Sequence, residues 1–264
     1  MMWLSRKPKS FNKLALPQGP VWLASDLHLG EDTPATQQAL LGFLHKAADE
    51  AVAVLLPGDI FNVWVGDDAI ADPPPWLAEA LAAMKTAASR LPLYLGRGNR
   101  DFLMGQRLAR ELGAHLLPDI VLLQTARGPV LLSHGDEYCT DDRAYQRWRA
   151  AARNPLLQKL FLMSSLKWRL GFARKARAKS MQAKRGTPLE IMDVTQDTVD
   201  TALRETGASV VVHGHTHRQA RHVFAVDGRR CERWVLPDWD LDHAEPKRGG
   251  WLVIDKDGLR FHDL

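Results

Sequence analysis

Short apolar runs alternate with longer, helically spaced ones along the first half of the chain, and most of the short runs stop on glycine, aspartate or histidine. Val21-Trp22-Leu23-Ala24 reads as a first strand closing on Ser25-Asp26-Leu27-His28. Pro34 to Glu50 carries Leu40, Leu41, Phe43, Leu44 and Ala47 at the spacing of one helix face. Ala51 to Leu56 is a second strand, closing on Pro57-Gly58-Asp59, and after Pro73-Pro74-Pro75 an alanine-rich helix runs to about Ser89. Leu91 to Leu95 closes on Gly98-Asn99-Arg100-Asp101. Ile120–Gln124 and Pro129–Leu132 read as a hairpin whose second arm closes on Ser133-His134-Gly135-Asp136.

The second half changes character. From Asp142 to about Thr187 the apolar residues, among them Trp148, Leu160, Phe161, Trp168 and Phe172, lie among cations at roughly helical spacing, which predicts an all-helical insertion. Thr195 to Thr206 is amphipathic, and Val210 to Val212 then form a buried strand running into His213-Gly214-His215-Thr216-His217. If the chain stays extended past Gly214, His215 and His217 point to the same side. His222–Val226, Cys231–Leu236, Trp251–Ile254 and a last strand follow, with Asp-Gly turns between them. The whole predicts an α/β fold of two face-to-face sheets flanked by helices. Its main domain spans 19–264, interrupted by a helical lid insertion at 142–187, and 1–18 is a loosely held basic lead-in.

Composition changes this picture in one place. The 35 Lys and Arg nearly balance the 31 acids, but thirteen of the cations and no acid lie between Arg143 and Arg185. A basic block on an acidic body suits an anionic partner: phosphate, nucleic acid or a lipid surface. Two cysteines, Cys139 and Cys231, are too few for a disulfide framework. No apolar run reaches the roughly 20 residues of a membrane span, and no signal peptide is evident, so a cytoplasmic protein is expected.

Five strand ends supply Asp26, His28, Asp59, Asn99, His134, His215 and His217. Seven such ligands exceed the needs of one open catalytic ion and suit two ions sharing a carboxylate. Their mixture of carboxylate, amide and imidazole favours Mn²⁺, Fe²⁺ or Zn²⁺. Two ions ~4 Å apart clamp a phosphoryl group and lower the pKa of a bridging water.

The ordered set Asp26-Leu27-His28, Gly58-Asp59, Gly98-Asn99-Arg100-Asp101, His134-Gly135-Asp136 and Gly214-His215-Thr216-His217 resembles the calcineurin-like metallophosphoesterase superfamily. With Trp64-Val65-Gly66-Asp67-Asp68, Cys139-Thr140-Asp141-Asp142 and Ile191-Met192-Asp193-Val194, the chain resembles the UDP-2,3-diacylglucosamine pyrophosphatases of lipid A biosynthesis. That resemblance implies a two-sheet metallophosphoesterase sandwich with a helical lid. It implies hydrolysis of the substrate's pyrophosphate bond to UMP and 2,3-diacylglucosamine 1-phosphate (lipid X) by a two-metal-activated hydroxide. Asp26, His28, Asp59 and His217 would hold one ion, usually manganese, and Asp59, Asn99, His134 and His215 the other. Asn99, Arg100 and His134 would act on the reacting phosphoryl group, and Asn99, Arg100, Asp142, Ser180, Lys184, Thr187 and His215 would contact substrate. Lys184 and Thr187 depart from the family's usual asparagine and lysine, and Asn62 stands where it tends to carry glutamate. The lid would receive acyl chains and touch the cytoplasmic face of the inner membrane, and no nucleic acid is expected.

Arg100 is informative by its chemistry alone. Arginine cannot give up its proton in a protein, but its fork stabilises charge on phosphoryl oxygens. That suits a leaving group needing no protonation, such as the phosphate of a pyrophosphate bond; the competing reading is an ordinary salt bridge to Asp101 or another acid. Asp67 and Asp68 are candidates to orient histidines, or loop acids, and Cys139 is expected in the core. Two other functions fit the composition: a metallophosphoesterase for soluble nucleotides or phosphoesters, and a non-enzymatic basic scaffold for nucleic acid.

Overall fold

The computed structural model describes the backbone of residues 11–184 and 193–264, and the side chains of all of these except 180–184. In chain order it has β1 (Asn12–Ala15), β2 (Val21–Leu23), α1 (Pro34–Glu50), β3 (Ala53–Leu56), α2 (Pro75–Ala88), β4 (Leu93–Leu95), α3 (Gln106–Leu112) and β5 (His115–Leu116). It continues with β6 (Ile120–Thr125), β7 (Gly128–Ser133), α4 (Arg143–Ala152), α5 (Pro155–Leu162), α6 (Leu166–Lys184) and α7 (Gln196–Thr206). The chain closes with β8 (Val210–His213), β9 (Ala220–Val226), β10 (Arg229–Val235), β11 (Gly250–Asp255) and β12 (Gly258–Asp263).

The strands form two six-stranded sheets, ordered β1-β6-β7-β8-β10-β9 and β12-β11-β2-β3-β4-β5. The alternation of side chains along each strand builds three layers of core. Val21, Leu23, Ala53 and Leu55 of one sheet meet Val121, Leu123, Leu132 and Val212 of the other in the space between them. Trp22, Val54, Leu56 and Leu93 point the opposite way, against Leu40, Phe43, Leu77 and Met84 of α1 and α2. On the far side of the other sheet, Leu122, Leu131 and Val211 are covered by Val199 and Leu203 of α7. Strands buried on both faces read as continuous apolar runs, which is why they are visible in the sequence. β2, β3 and β4 run parallel, as do β7 and β8, so each set delivers its carboxyl ends to one edge.

The helical insertion is helical over its described part, as expected. Its sharpest contact with the body is Arg169 of α6, only 1% exposed, which donates to the Val65 carbonyl at 2.6 Å and pairs with Asp68. Gly66, at φ 138°, makes room: any side chain there would run into the Arg169 guanidinium. At the other end, Arg149 of α4 donates to the buried Asp136 carboxylate at 2.7 Å. Arg153, at the C-terminal end of α4, adds bonds to Asp119 Oδ1 at 2.8 Å and to the Arg97 and Gly98 carbonyls at 3.2 Å, so the insertion is fastened to the body through both α4 and α6.

Two expectations are corrected. Part of the lead-in is a strand: Asn12–Ala15 pairs in parallel with Val121–Gln124 at the sheet edge. Beyond Gly214 the chain does not stay extended, because His215 and His217 take left-handed backbone at φ 69° and 55°.

Candidate metal centre

The loops following β2, β3, β4, β7 and β8 converge at one edge of the sandwich. Asp26 N donates to the Gly58 carbonyl and His28 N to the Asp59 carbonyl, so the first two loops continue the β2–β3 pairing past the strands. Gly214 N donates to the His134 carbonyl, which joins the β7 and β8 loops in the same way. Asp26 itself spans the gap between the sheets. Its Oδ2 accepts from His215 N at 2.9 Å, and any side chain at Gly214 would collide with that carboxylate.

Two groups of donor atoms result. His217 Nε2 lies 3.1 Å from His28 Nε2 and 3.3 Å from Asp26 Oδ1, and His28 Nε2 lies 3.9 Å from the same oxygen. Asn99 Oδ1 lies 3.2 Å from His134 Nε2 and 2.8 Å from His215 Nδ1. Asp59 stands between the groups, 3.8 Å from His28 Nδ1 and 3.7 Å from His134 Nε2. Among the described residues, ligand atoms within 4.8 Å of one another also group Asp26 with Asp59 and His134, so Asp26 faces both sides as well. All seven sequence candidates thus meet, although His215 and His217 diverge to opposite groups rather than sharing a side.

The site's chemistry fits cations. Asp26 Oδ1, His28 Nδ1 and His134 Nδ1 are buried without a hydrogen-bond partner in the protein, an expensive state for polar atoms unless something else satisfies them. Burial opposes charge on Asp26, but the close approach of His217 and the charges of His134, His217 and His28 outweigh it and hold the carboxyl far below the usual range. Burial, together with the Asp26 charge, raises Asp59 against the lowering by His134 and Arg100. Burial, with the Arg100 charge next, keeps His28 well below an ordinary histidine, which favours its lone-pair form. His134 goes the other way: burial lowers it, but Asp59, Asp26 and Asp136 together raise it. The backbone tells the same story. Of the six non-glycine residues with positive φ among the described residues, five are Asp26, His28, Asp59, His215 and His217. Strained backbone concentrates where ligand geometry demands it.

Arg100 is at the margin of the site, half-buried, with Nε 3.5 Å from Asp59 Oδ2 and Nη1 donating to Asn62 Oδ1 at 3.1 Å. Its acid partner is thus Asp59, as the salt-bridge reading allowed, and not Asp101, which is fully buried and accepts the amides of Ile60 and Gly98 at 2.7 Å each, organising the β3 and β4 loops. Asp142 caps α4 by accepting from Tyr145 N at 2.9 Å. Only the helical backbone is described at Ser180 and Lys184, and Thr187 lies outside the described residues.

Asp67 and Asp68 orient no histidine here, which corrects one reading of them. Asp67 accepts from Trp64 Nε1, Gly105 N and Leu108 N and so caps α3, while Asp68 is the partner of Arg169. Cys139 is buried, as expected. Two neighbours were invisible in the sequence. Tyr145 donates to Asp136 Oδ2 at 2.6 Å and lays its ring 5.9 Å from that of His215. Asp238 approaches His217 Nδ1 from the β10–β11 connection. Neither belongs to a motif at a strand end, so only the fold reveals them.

A sequence model of the calcineurin-like phosphoesterases matches residues 19–219. The UDP-2,3-diacylglucosamine hydrolase of Bordetella parapertussis is 64% identical over 96% of this chain and 98% of its own length. The protein of the same name from Chromobacterium violaceum is 45% identical over 89% and 95% respectively. Among solved structures, vacuolar protein sorting 29 from Cryptosporidium parvum aligns over 93% of this chain and 91% of that one, with 14% identity and a TM-score of 0.44.

Proposed function

The chain belongs to the calcineurin-like phosphoesterase family, and from that premise we propose that it hydrolyses UDP-2,3-diacylglucosamine, the substrate its relatives' names give for them, at the pyrophosphate bond. The products are UMP and 2,3-diacylglucosamine 1-phosphate, an intermediate of lipid A biosynthesis. Asp26, His28, Asp59 and His217 would hold one divalent ion, and Asp59, Asn99, His134 and His215 a second, with manganese the preferred metal. When bound, such a pair clamps a phosphoryl group and makes water acidic enough to attack near neutrality.

The observation that carries this reading is Arg100 beside the ligand cluster. Held by Asp59 and Asn62, its fork can meet the oxygens of a pyrophosphate and stabilise the charge that builds on them. It supplies no proton, and the departing sugar phosphate requires none. Asn62, which stands where the family tends to carry glutamate, serves here as a neutral acceptor that steers this arginine. Asp142, Ser180, Lys184, Thr187 and His215 are proposed to contact substrate.

Residues 142–187 act as the lid over the lipid portion. Trp168 and Phe172 are 55% and 52% exposed and stack at 5.6 Å on α6, with Leu156, Leu157, Leu160 and Met163 exposed nearby on the chain. Apolar groups among cations suit acyl chains and acidic headgroups together. No helix among the described residues is long and apolar enough to cross a membrane, so contact with the cytoplasmic face of the inner membrane would be peripheral.

The test is hydrolysis of UDP-2,3-diacylglucosamine by purified protein with Mn²⁺ in ¹⁸O-water. The expected result is UMP release with the heavy oxygen in UMP, marking attack at the phosphorus nearer uridine. Label in the sugar phosphate would refute the point of attack, and turnover of soluble phosphodiesters alone would refute the lipid substrate.

A further inference from the structure

His217 is the most weakly enclosed member of its group, its side chain 35% exposed where that of Asp26 is 1% exposed. An imidazole on a left-handed turn can present either nitrogen inward, so something must choose. Its Nε2 faces Asp26 Oδ1 at 3.3 Å, while Nδ1 faces Asp238 Oδ2 at 3.5 Å. Asp238 is 4% exposed and closely held. Arg248 donates to both its oxygens, Nε to Oδ1 at 3.2 Å and Nη2 to Oδ2 at 2.9 Å. The backbone around it is tied as well: Trp239 N donates to the Asp26 carbonyl, and Asp240 and Arg248 exchange both backbone hydrogen bonds.

We infer that Asp238, clamped by Arg248, is the positioning residue that keeps His217 protonated at Nδ1 and aims its Nε2 lone pair at the ion shared with Asp26 and His28. A carboxylate at one ring nitrogen fixes the tautomer, orients the ring and raises the basicity of the other nitrogen. The arrangement also explains why a carboxylate is buried beside a cluster already rich in acids: its charge is shared between a guanidinium fork and an imidazole N–H. Tying Asp238 to the Asp26 backbone through Trp239 keeps the spacing of the two ligands fixed.

This inference rests on the two-ion reading above, and calorimetric titration of metal-free protein with Mn²⁺ separates the two. Wild-type protein should take up two ions; failure to do so would sink the two-ion reading, not the role of Asp238. Asp238→Ala should bind one of the two roughly 10- to 100-fold more weakly, the scale of losing such a partner, with the other ion unaffected. Asp238→Asn, which keeps shape and an acceptor oxygen, should lose less. Arg248→Leu touches no histidine and should weaken the same ion, which keeps the test open if Asp238→Ala does not fold. Nitrogen-15 spectra of the zinc-loaded wild-type protein should show His217 protonated at Nδ1. Unchanged affinities in folded Asp238 variants, or a proton on Nε2, would overturn the assignment.

Discussion

At the scale of single residues, Arg100 carries the sharpest expectation. Replacing it with alanine should lower kcat by roughly two orders of magnitude, or about 3 kcal/mol of transition-state stabilisation, the scale of a removed oxyanion donor. Metal uptake should persist, because the Arg100 backbone amide that donates to Asp59 Oδ1 at 2.8 Å is kept in the variant. Lysine should restore little, having no planar fork. Steady-state kinetics with metal analysis on the same samples checks this. The ligand residues themselves were legible because each tetrad ends a strand, and parallel strands bring their ends together whatever lies between. Their division between the two groups came from the family resemblance and could not be read from spacing. His215 and His217 are two apart, and period-two reasoning puts them on one side; the left-handed turn sends them to opposite groups. Asp238 was hidden for a different cause. It sits in an acid-rich connection, Asp238 to Asp242, where one carboxylate looks like the next until the fold places one against a histidine.

At the scale of elements, the helical insertion divides into a part that packs on the core and a part that stays largely exposed. Phe161 packs against the core, while Trp168 and Phe172, four residues apart on α6, rest against Phe161 and are otherwise exposed. Changing Trp168 and Phe172 together to serine should leave the melting temperature nearly unchanged yet raise KM for the diacyl substrate about tenfold, equivalent to losing contact with two methylenes. Phe161→Ser should instead lower the melting temperature. A fall in stability for the exposed pair, with KM unmoved, would contradict their proposed contact with lipid. The elements that escaped sequence reading share a property: their stability is borrowed from afar. β1 is four residues, Asn-Lys-Leu-Ala, held by pairing with β6. α3 is seven residues and takes its cap from Asp67, nearly forty positions earlier. Elements that carry their own periodicity, α1, α2 and the buried strands, could be read directly.

At the scale of the whole molecule, stability should depend on acid through His213. This histidine is fully buried; its Nδ1 donates to the Gly214 carbonyl at 2.8 Å and its Nε2 faces the Arg233 guanidinium at 3.4 Å. Both nitrogens are satisfied only when the ring is neutral, and burial pulls its pKa down to about 4. Between that value and the ordinary 6.5 the unfolded chain binds the proton and the folded one does not. Stability is therefore complete above about pH 6.5 and falls as pH drops toward 4, by about 3 kcal/mol at most from this group. Denaturant melts of metal-free wild type and His213→Gln across pH 4.5–7.5 should show a shallower slope for the variant. The left-handed backbone of Asp26, His28, Asp59, His215 and His217 has a wider consequence. Such a conformation costs an ordinary residue about 1–2 kcal/mol that glycine escapes. At each of the five, the glycine variant should therefore melt about 2–4 °C or more above the alanine variant, although both lack the ligand. If so, a descendant freed from its chemistry would carry glycine more readily than alanine at these turns, and a row of glycines at the strand ends would be the trace of a lost site.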